Sequence, residues 1–194
     1  MRSLYILPLL AFGLVCSAKP VEKRQSTNTD SFKLYAYGPG ISGLPVVYLN
    51  GIANVADESK VSATTMAGLT PVNFTASIDG SNTWIAYPSS TEGVSTLSTN
   101  TNVLCLNQGN TASNPVGFAG TSAREQSNNL SNVWSLYGNY VLVTVSGANF
   151  YARQTGTDGL YSLLWSSSAE AMTDTIPLVL RTAEPATVSV LTTS

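Results

Sequence analysis

The sequence predicts an all-β fold, either an antiparallel β-sandwich or a compact β-barrel built from hairpins, with at most one or two short helices. Short turn signals recur along the chain, the segments between them alternate apolar and polar residues, and helical periodicity is weak. Strands joined by short turns favour antiparallel neighbours over βαβ units. The residues leave the choice between sandwich and barrel open.

Glycine paired with Asn or Asp marks four predicted hairpin turns, because these residues accept the positive φ angles that tight turns between twisted strands need. The turns lie at Asn50-Gly51, Asp79-Gly80, Gly138-Asn139 and residues 155–159. The strands that they join are 45–49 with 52–55, 72–78 with 83–87, 133–137 with 140–146, and 150–153 with 160–165.

Alternation within these segments predicts one wet and one buried face. In residues 72–78 the even-numbered residues are apolar and fall on one face, and the odd-numbered residues are polar and fall on the other. The predicted buried face consists of Val72, Phe74, Ala76 and Ile78. The same spacing puts Phe32, Leu34 and Ala36 on one face, and Val141, Val143 and Val145 on another.

Helices and loops fill the remaining segments. The pattern Ser122-Ala123-Arg124-Glu125 fits a capping box, and residues 168–172 allow one further helical turn. Residues 88–102 and 107–128 are rich in Ser, Thr, Asn and Gly, so we expect loops there.

The N-terminus has the pattern of a secretion signal. Arg2 precedes an apolar run at residues 4–15, which is too short to span a bilayer, and small residues end at Ala18. We therefore expect a signal peptide at residues 1–18. A short propeptide, residues 19–24, would follow and end at the dibasic pair Lys23-Arg24.

The expected mature chain holds one β domain at residues 32–182, between a flexible N-terminus at residues 25–31 and a loose tail at residues 183–194. We expect it to be secreted, either extracellular or in a cell wall. No membrane span and no GPI anchor are expected, since the polar C-terminus lacks an apolar tail.

Composition excludes several classes of binding partner and of catalytic or metal site. The 194 residues carry a net charge of −2, include 25 Ser and 22 Thr, and contain only five basic residues after position 24, which is too few for a nucleic-acid surface. The chain has no histidine, which excludes Ser-His-Asp and Cys-His catalysis and His-ligated metal sites. We therefore predict no cofactor and no metal site.

Cys105 would be the single cysteine of the mature chain, because Cys16 leaves with the signal peptide. No intramolecular disulfide is then available. Its apolar neighbours predict a buried, unreactive thiol.

Carboxylate chemistry remains open, because a glycosidase needs two carboxyl groups about 5–10 Å apart. Asp79 and Asp158 fit turn positions, Glu125 fits a helix cap, and no pair forms a recognisable motif. We therefore assign no catalytic residue. The candidates are Asp57, Glu58, Asp79, Glu92, Glu125, Asp158, Glu170 and Asp174.

Aromatic residues on the predicted strands suggest a sugar-binding surface, since Trp and Tyr rings stack on the C–H faces of sugars. In the segments 84–87 and 134–137 the Trp and Tyr point to opposite faces, so one of each pair belongs to the core. The sugar-stacking candidates are Trp84, Trp134 and Trp165.

Two N-x-S/T sequons predict glycosylation, at Asn73 and at Asn129. Asn73 is the better candidate, because alternation already puts it on the polar face.

The stretch FKLYAYGPGISGLPVVY, residues 32–48, followed by Asn50-Gly51, resembles the start of a group of small secreted ascomycete proteins of uncharacterised activity. A later segment from Gly156 to Trp165 resembles their GTDG-x-x-x-L-x-W pattern. The resemblance implies an extracellular, wall-associated fungal protein. It carries over no catalytic residue.

Together these features predict a secreted fungal protein without a catalytic site, either associated with the cell wall or directed at a host as an elicitor or effector. Its partner would be a wall polysaccharide or a host surface component. A carbohydrate-binding β-sandwich is the alternative, and a carboxylate-dependent glycosidase is the third.

Overall fold

The computed structural model describes residues 30–89, 102–109, 114–120, 128–168 and 172–186. The predicted signal peptide, propeptide and most of the predicted C-terminal tail lie outside these ranges. The described strands are β1 (Tyr35–Gly38), β2 (Ile41–Leu49), β3 (Ile52–Ala56), β4 (Thr70–Ala76), β5 (Trp84–Pro88), β6 (Asn102–Asn107), β7 (Asn114–Gly120), β8 (Asn129–Leu130), β9 (Trp134–Tyr137), β10 (Tyr140–Val143), β11 (Asn149–Gln154), β12 (Leu160–Ser166) and β13 (Ile176–Arg181). A four-residue helix, α1 (Ala63–Met66), follows β3 and is capped by Ser62.

Ten strands form a closed antiparallel barrel, which confirms the all-β prediction and decides for the barrel. The order is β1–β2–β4–β5–β6–β7–β3–β12–β11–β13, and pairing of β13 with β1 closes the ring. Three further strands extend it. Strand β8 pairs with β6, and the β9–β10 hairpin attaches to the end of β13.

All four predicted hairpins are confirmed by the strand pairings: β2 with β3, β4 with β5, β9 with β10, and β11 with β12. The first shows the expected backbone geometry. Asn50 and Gly51 have φ angles of 51° and 83°, which is the left-handed conformation that a two-residue turn between right-twisted strands requires.

The inward faces follow the predicted alternation over most of the strands. Val72 and Phe74 are buried, and Leu34, Ala36 and Val141 belong to the core. The prediction is wrong for Ala76 and Ile78, which are exposed because β4 ends at Ala76 and the chain turns away there. Inside the barrel, seven aromatic rings make a continuous row with neighbouring centroids 5.0 to 6.3 Å apart: Tyr48, Phe118, Phe74, Phe32, Trp84, Trp134 and Phe150. Stacked and edge-to-face contacts at these distances add to the stability that burial supplies.

Strand β7 lies inside the segment predicted as a loop, so that prediction is wrong for residues 114–120. A Cβ atom at Gly117 would lie 2.8 Å from the Nδ2 atom of Asn107 and 3.0 Å from the carbonyl oxygen of Gly51. Glycine is therefore what lets β7 approach its neighbours, although it looks like a strand breaker in the sequence.

Other expectations concern residues outside the described ranges. These include the capping box at residues 122–125, residues 169–171 of the second helical turn, and residues 90–101 of the first predicted loop.

Candidate binding site

The three tryptophans predicted as sugar-stacking residues lie in the core instead. Trp84, Trp134 and Trp165 expose 3%, 1% and 2% of their surface. The indole N–H of Trp134 donates to the carbonyl oxygen of Leu104 at 2.8 Å, and that of Trp165 donates to Asn107 at 3.0 Å. A sugar ring has no access to these indoles, so this prediction is wrong.

The expected division between Trp and Tyr does hold on strand β9. Trp134 points into the barrel, and Tyr137, three residues later, is 76% exposed. Their opposite orientation follows from the two-residue repeat of a strand. The aromatic surface of the protein is therefore made by tyrosines.

Strand register gathers these tyrosines on one outer face, because residues directly opposite in an antiparallel pair share a face. Tyr140 is opposite both Tyr137 and Arg181, and Tyr37 is opposite Val179. Leu142 lies two residues after Tyr140 on β10, so its side chain points to the same face. We call this surface the tyrosine face; it consists of Tyr37, Tyr137, Tyr140, Leu142, Val179 and Arg181.

The tyrosine face is unusually apolar for an outer surface. Tyr137, Tyr140, Leu142 and Val179 all count among the exposed large hydrophobic side chains, and the whole hairpin from residue 133 to residue 146 contains no charged residue. Contiguous exposed apolar surface on a folded domain commonly marks an interaction site.

Arg181 provides the charge of this face and lies between two rings. Its guanidinium carbon is 5.2 Å from the ring centroid of Tyr37 and 4.8 Å from that of Tyr140. These distances are typical of cation–π contacts, which hold the guanidinium plane in place. Its Nε atom is buried without a hydrogen-bond partner. In the described part of the chain, no carboxylate forms an ion pair with Arg181.

The residues after β13 fix this arrangement from outside. We call residues 182–186 the C-terminal strap. The amide of Thr182 donates to the carbonyl oxygen of Asn139 in the β9–β10 turn, and the hydroxyl of Tyr37 donates to the carbonyl oxygen of Ala183. The predicted loose tail is therefore wrong for residues 183–186, and residues 187–194 lie outside the described ranges.

Tyr35 and Glu184 link the strap to strand β1. The hydroxyl of Tyr35 donates to the Oε1 atom of Glu184 at 2.5 Å. Burial of the phenol, together with this hydrogen bond and the nearby negative charge, raises the pKa of Tyr35 well above its usual range. The phenol therefore stays protonated and the contact persists at physiological pH.

A surface groove of about 430 Å³ runs beside the strap, where Lys33, Tyr35, Asn73 and Glu184 line it with Ser31 and Thr182. It adjoins the tyrosine face, because Tyr35 is opposite Arg181 across the β1–β13 pair. Charged and hydroxyl groups in the groove can bond to the hydroxyls of a bound ligand.

The predicted glycosylation sites have different surroundings. Asn73 and Thr75 are both half-buried on the outer side of β4. Asn129 lies on β8, and the hydroxyl-bearing Ser131 of its sequon is buried. The first sequon is thus the more accessible in the folded domain.

Two of the carboxylates in the glycosidase hypothesis, Asp57 and Asp79, are engaged in local structure. The Oδ2 atom of Asp57 lies 3.0 Å from the ammonium group of Lys60, and hydrogen bonds from Ser59 and Lys60 lower the pKa of Asp57. Asp79 accepts from the amide of Ser81 in its turn. Glu92, Glu125 and Glu170 of the glycosidase hypothesis lie outside the described ranges.

Cys105 is buried on β6, as its apolar neighbours predict. Its thiol contacts the Oδ1 atom of Asn107 at 3.2 Å and the carbonyl oxygen of Gly117 at 3.4 Å. Burial raises its pKa to about 11, so the reactive thiolate is scarce at neutral pH.

Among the described residues, no cluster of three or more Cys, Asp and Glu side chains could hold a metal ion. The same residues include no helix with the length and apolar character needed to cross a membrane. Comparisons with protein-family models, with curated proteins and with solved structures found no match to this chain.

Several residues in and beside the tyrosine face were not predicted from the sequence, among them Tyr37, Arg181 and Glu184. A usable signal was present in β13, where Leu178 and Leu180 are buried and alternate with the outward Val179 and Arg181. Pro177 lies in the same segment and weakens a strand prediction there, because proline has no backbone N–H to donate to a neighbouring strand.

Proposed function

We propose that this protein is a non-enzymatic, secreted fungal protein that attaches to wall polysaccharide through the tyrosine face. The observation that carries the proposal is a set of outward tyrosines on a closed barrel, in which Tyr37 and Tyr140 contact Arg181 and Tyr137 lies opposite Tyr140. The secretion signal and the ascomycete resemblance supply the cellular setting.

Tyrosine suits a saccharide ligand for a physical reason. A sugar ring presents C–H groups that pack on an aromatic ring, and the phenol hydroxyl can bond to sugar hydroxyls at the edge. Tyr137 and Tyr140 are 76% and 46% exposed and directly opposite one another, so their rings offer a surface without any rearrangement of the backbone.

Rigidity of the platform favours binding. The β9–β10 hairpin is tied to the strap through Thr182, and Tyr37 is tied to the same strap through Ala183. A surface that is already ordered loses little conformational entropy when a ligand binds.

The test is retention of the purified mature protein on chitin, β-glucan, cellulose and immobilised polygalacturonate. We expect retention on at least one polymer and a reduction of about tenfold in affinity when Tyr137→Ala and Tyr140→Ala are combined. The matched control is Ile78→Ala, which removes an exposed apolar side chain (92% exposed) in the β4–β5 turn.

Loss of binding only in the tyrosine double variant supports the proposal. Absence of binding to all four polymers, or equal loss in Ile78→Ala, overturns it. The cellular part is tested separately: secreted protein from a fungal host should begin at Gln25, and intracellular retention with residues 1–18 intact contradicts secretion.

A further inference from the structure

Arg181 stands out because two tyrosine rings flank its guanidinium and no ion-pair partner for it lies among the described residues. Lys60 on the same domain has Asp57 at 3.0 Å, whereas no described carboxylate forms an ion pair with Arg181. Unpaired cations on a protein surface are normally hydrated and mobile. Here Tyr37 and Tyr140 confine the guanidinium from both sides.

The strap carries one acidic group, Glu184, which forms no ion pair with Arg181. Glu184 accepts the hydrogen bond from Tyr35, the residue directly opposite Arg181 on β1. Lys33 lines the adjoining groove and brings a second positive charge to the same region. Charges farther away matter less, since salt screens exposed groups beyond about 10 Å.

A guanidinium in contact with two rings still presents the edge that carries its N–H donors. That edge is a planar fork of N–H donors, and its geometry matches the two oxygens of a carboxylate. The Nε atom is buried without a hydrogen-bond partner. A ligand would therefore have to meet the terminal amino groups. A carboxylate on the ligand would supply the ion-pair partner that Arg181 lacks among the described residues.

We propose that the polysaccharide bound by the tyrosine face is acidic and that Arg181 pairs with the carboxylate of a uronic-acid residue. The sugar ring would pack on Tyr140 and Tyr137 while its carboxylate reaches the guanidinium, whose carbon lies 4.8 Å from the Tyr140 ring centroid. This inference rests on the proposed function and assigns it a ligand class.

The deciding experiment uses one unmodified protein and a matched pair of polymers. Binding of the mature protein to polygalacturonate is compared with binding to the same polymer after full methyl esterification, which keeps the rings and removes the charge. We expect at least about a tenfold weaker affinity for the ester, because a hydrogen-bonded charge pair is lost. Added salt should weaken binding to the acidic form.

Variants of Arg181 then test whether this residue causes the difference in affinity between the two polymers. Arg181→Met should lower affinity for polygalacturonate about as much as esterification does, and should lower affinity for the ester by a smaller factor. Arg181→Lys keeps the charge but loses the planar fork, and its affinity should fall between the two. Thermal unfolding identifies any variant that fails to fold, and the polymer comparison needs no variant.

The outcomes separate the two proposals. Equal binding to polygalacturonate and its ester, or binding to neutral glucans alone, overturns the acidic ligand and leaves the saccharide function standing. Binding to a sulfated polysaccharide but not to polygalacturonate overturns the carboxylate assignment. Absence of binding to every polymer overturns both.

Discussion

The hydroxyl of Tyr35 bonds to the carboxylate of Glu184 across 149 positions of sequence and fastens the end of the domain to its first strand. Tyr35 also closes the barrel, because β1 pairs with β13 as well as with β2. The contact therefore stabilises the seam at which the first and last strands meet. The tyrosine face lies on this same seam.

The seam should weaken in alkaline solution. The pKa of Tyr35 is higher in the folded state than in the unfolded state, where it is about 10. The Tyr35 hydroxyl therefore contributes its full share to the free energy of unfolding below about pH 10. That share is lost as the pH rises toward the pKa of the folded state. Tyr35→Phe should cost about 1 kcal/mol at pH 8. We expect that difference to shrink between pH 8 and pH 11, as measured by urea unfolding.

Tyr137→Phe is the matched control, because Tyr137 is exposed. Its unfolding free energy should stay parallel to that of the unmodified protein across the same pH range. A Tyr35→Phe difference that does not change with pH would contradict the shifted titration.

Local signals in the sequence were enough to predict most of the barrel. Asn50-Gly51 and residues 155–159 each specify a hairpin on their own, because turn chemistry acts over a few residues. Strand β7 was missed since its Gly117 is explained only by Asn107 and Gly51, which lie elsewhere in the chain. Closure of the barrel through β1 and β13 is likewise a long-range event.

The candidate site was harder to predict for the same reason. Alternation shows that Trp134 and Tyr137 face opposite ways but cannot say which of them is inside. The pairing of Tyr37 with Arg181 depends on the register of strands that are about 140 residues apart in sequence. Periodicity carries no information about such a register.

Replacement of Trp134 should be among the most destabilising single changes. Its indole stacks between Trp84 at 5.4 Å and Phe150 at 6.1 Å. Trp134→Ala removes this packing and should cost about 3–5 kcal/mol in urea unfolding. Trp134→Phe keeps a ring but leaves the carbonyl of Leu104 without its donor, at a cost of about 1–3 kcal/mol.

The neighbouring control is Tyr137→Ala on the same strand, which points outward and should change stability by no more than about 0.5 kcal/mol. A larger loss in Tyr137→Ala than in Trp134→Ala would reverse the assignment of inner and outer faces on β9.

Cys105 should resist thiol reagents in the folded protein. Its pKa of about 11 and its buried position leave little thiolate at pH 8 and no path to it. Labelling with iodoacetamide should therefore be slow in buffer and should become fast in denaturant. Rapid labelling of the folded mature protein would show that β6 opens or that the thiol is exposed.

Glycosylation should occur at Asn73 when the protein is secreted from a fungal host. Asn73 and Thr75 both lie on the outer side of β4, and Asn73 lines the groove beside the strap. Thr75→Ala should remove the glycan, while Thr75→Ser should keep it, because the sequon accepts either hydroxyl. Mass spectrometry before and after glycosidase treatment measures the change, with Ser131→Ala reporting separately on Asn129. An unmodified Asn73 peptide from the secreted protein would contradict this prediction.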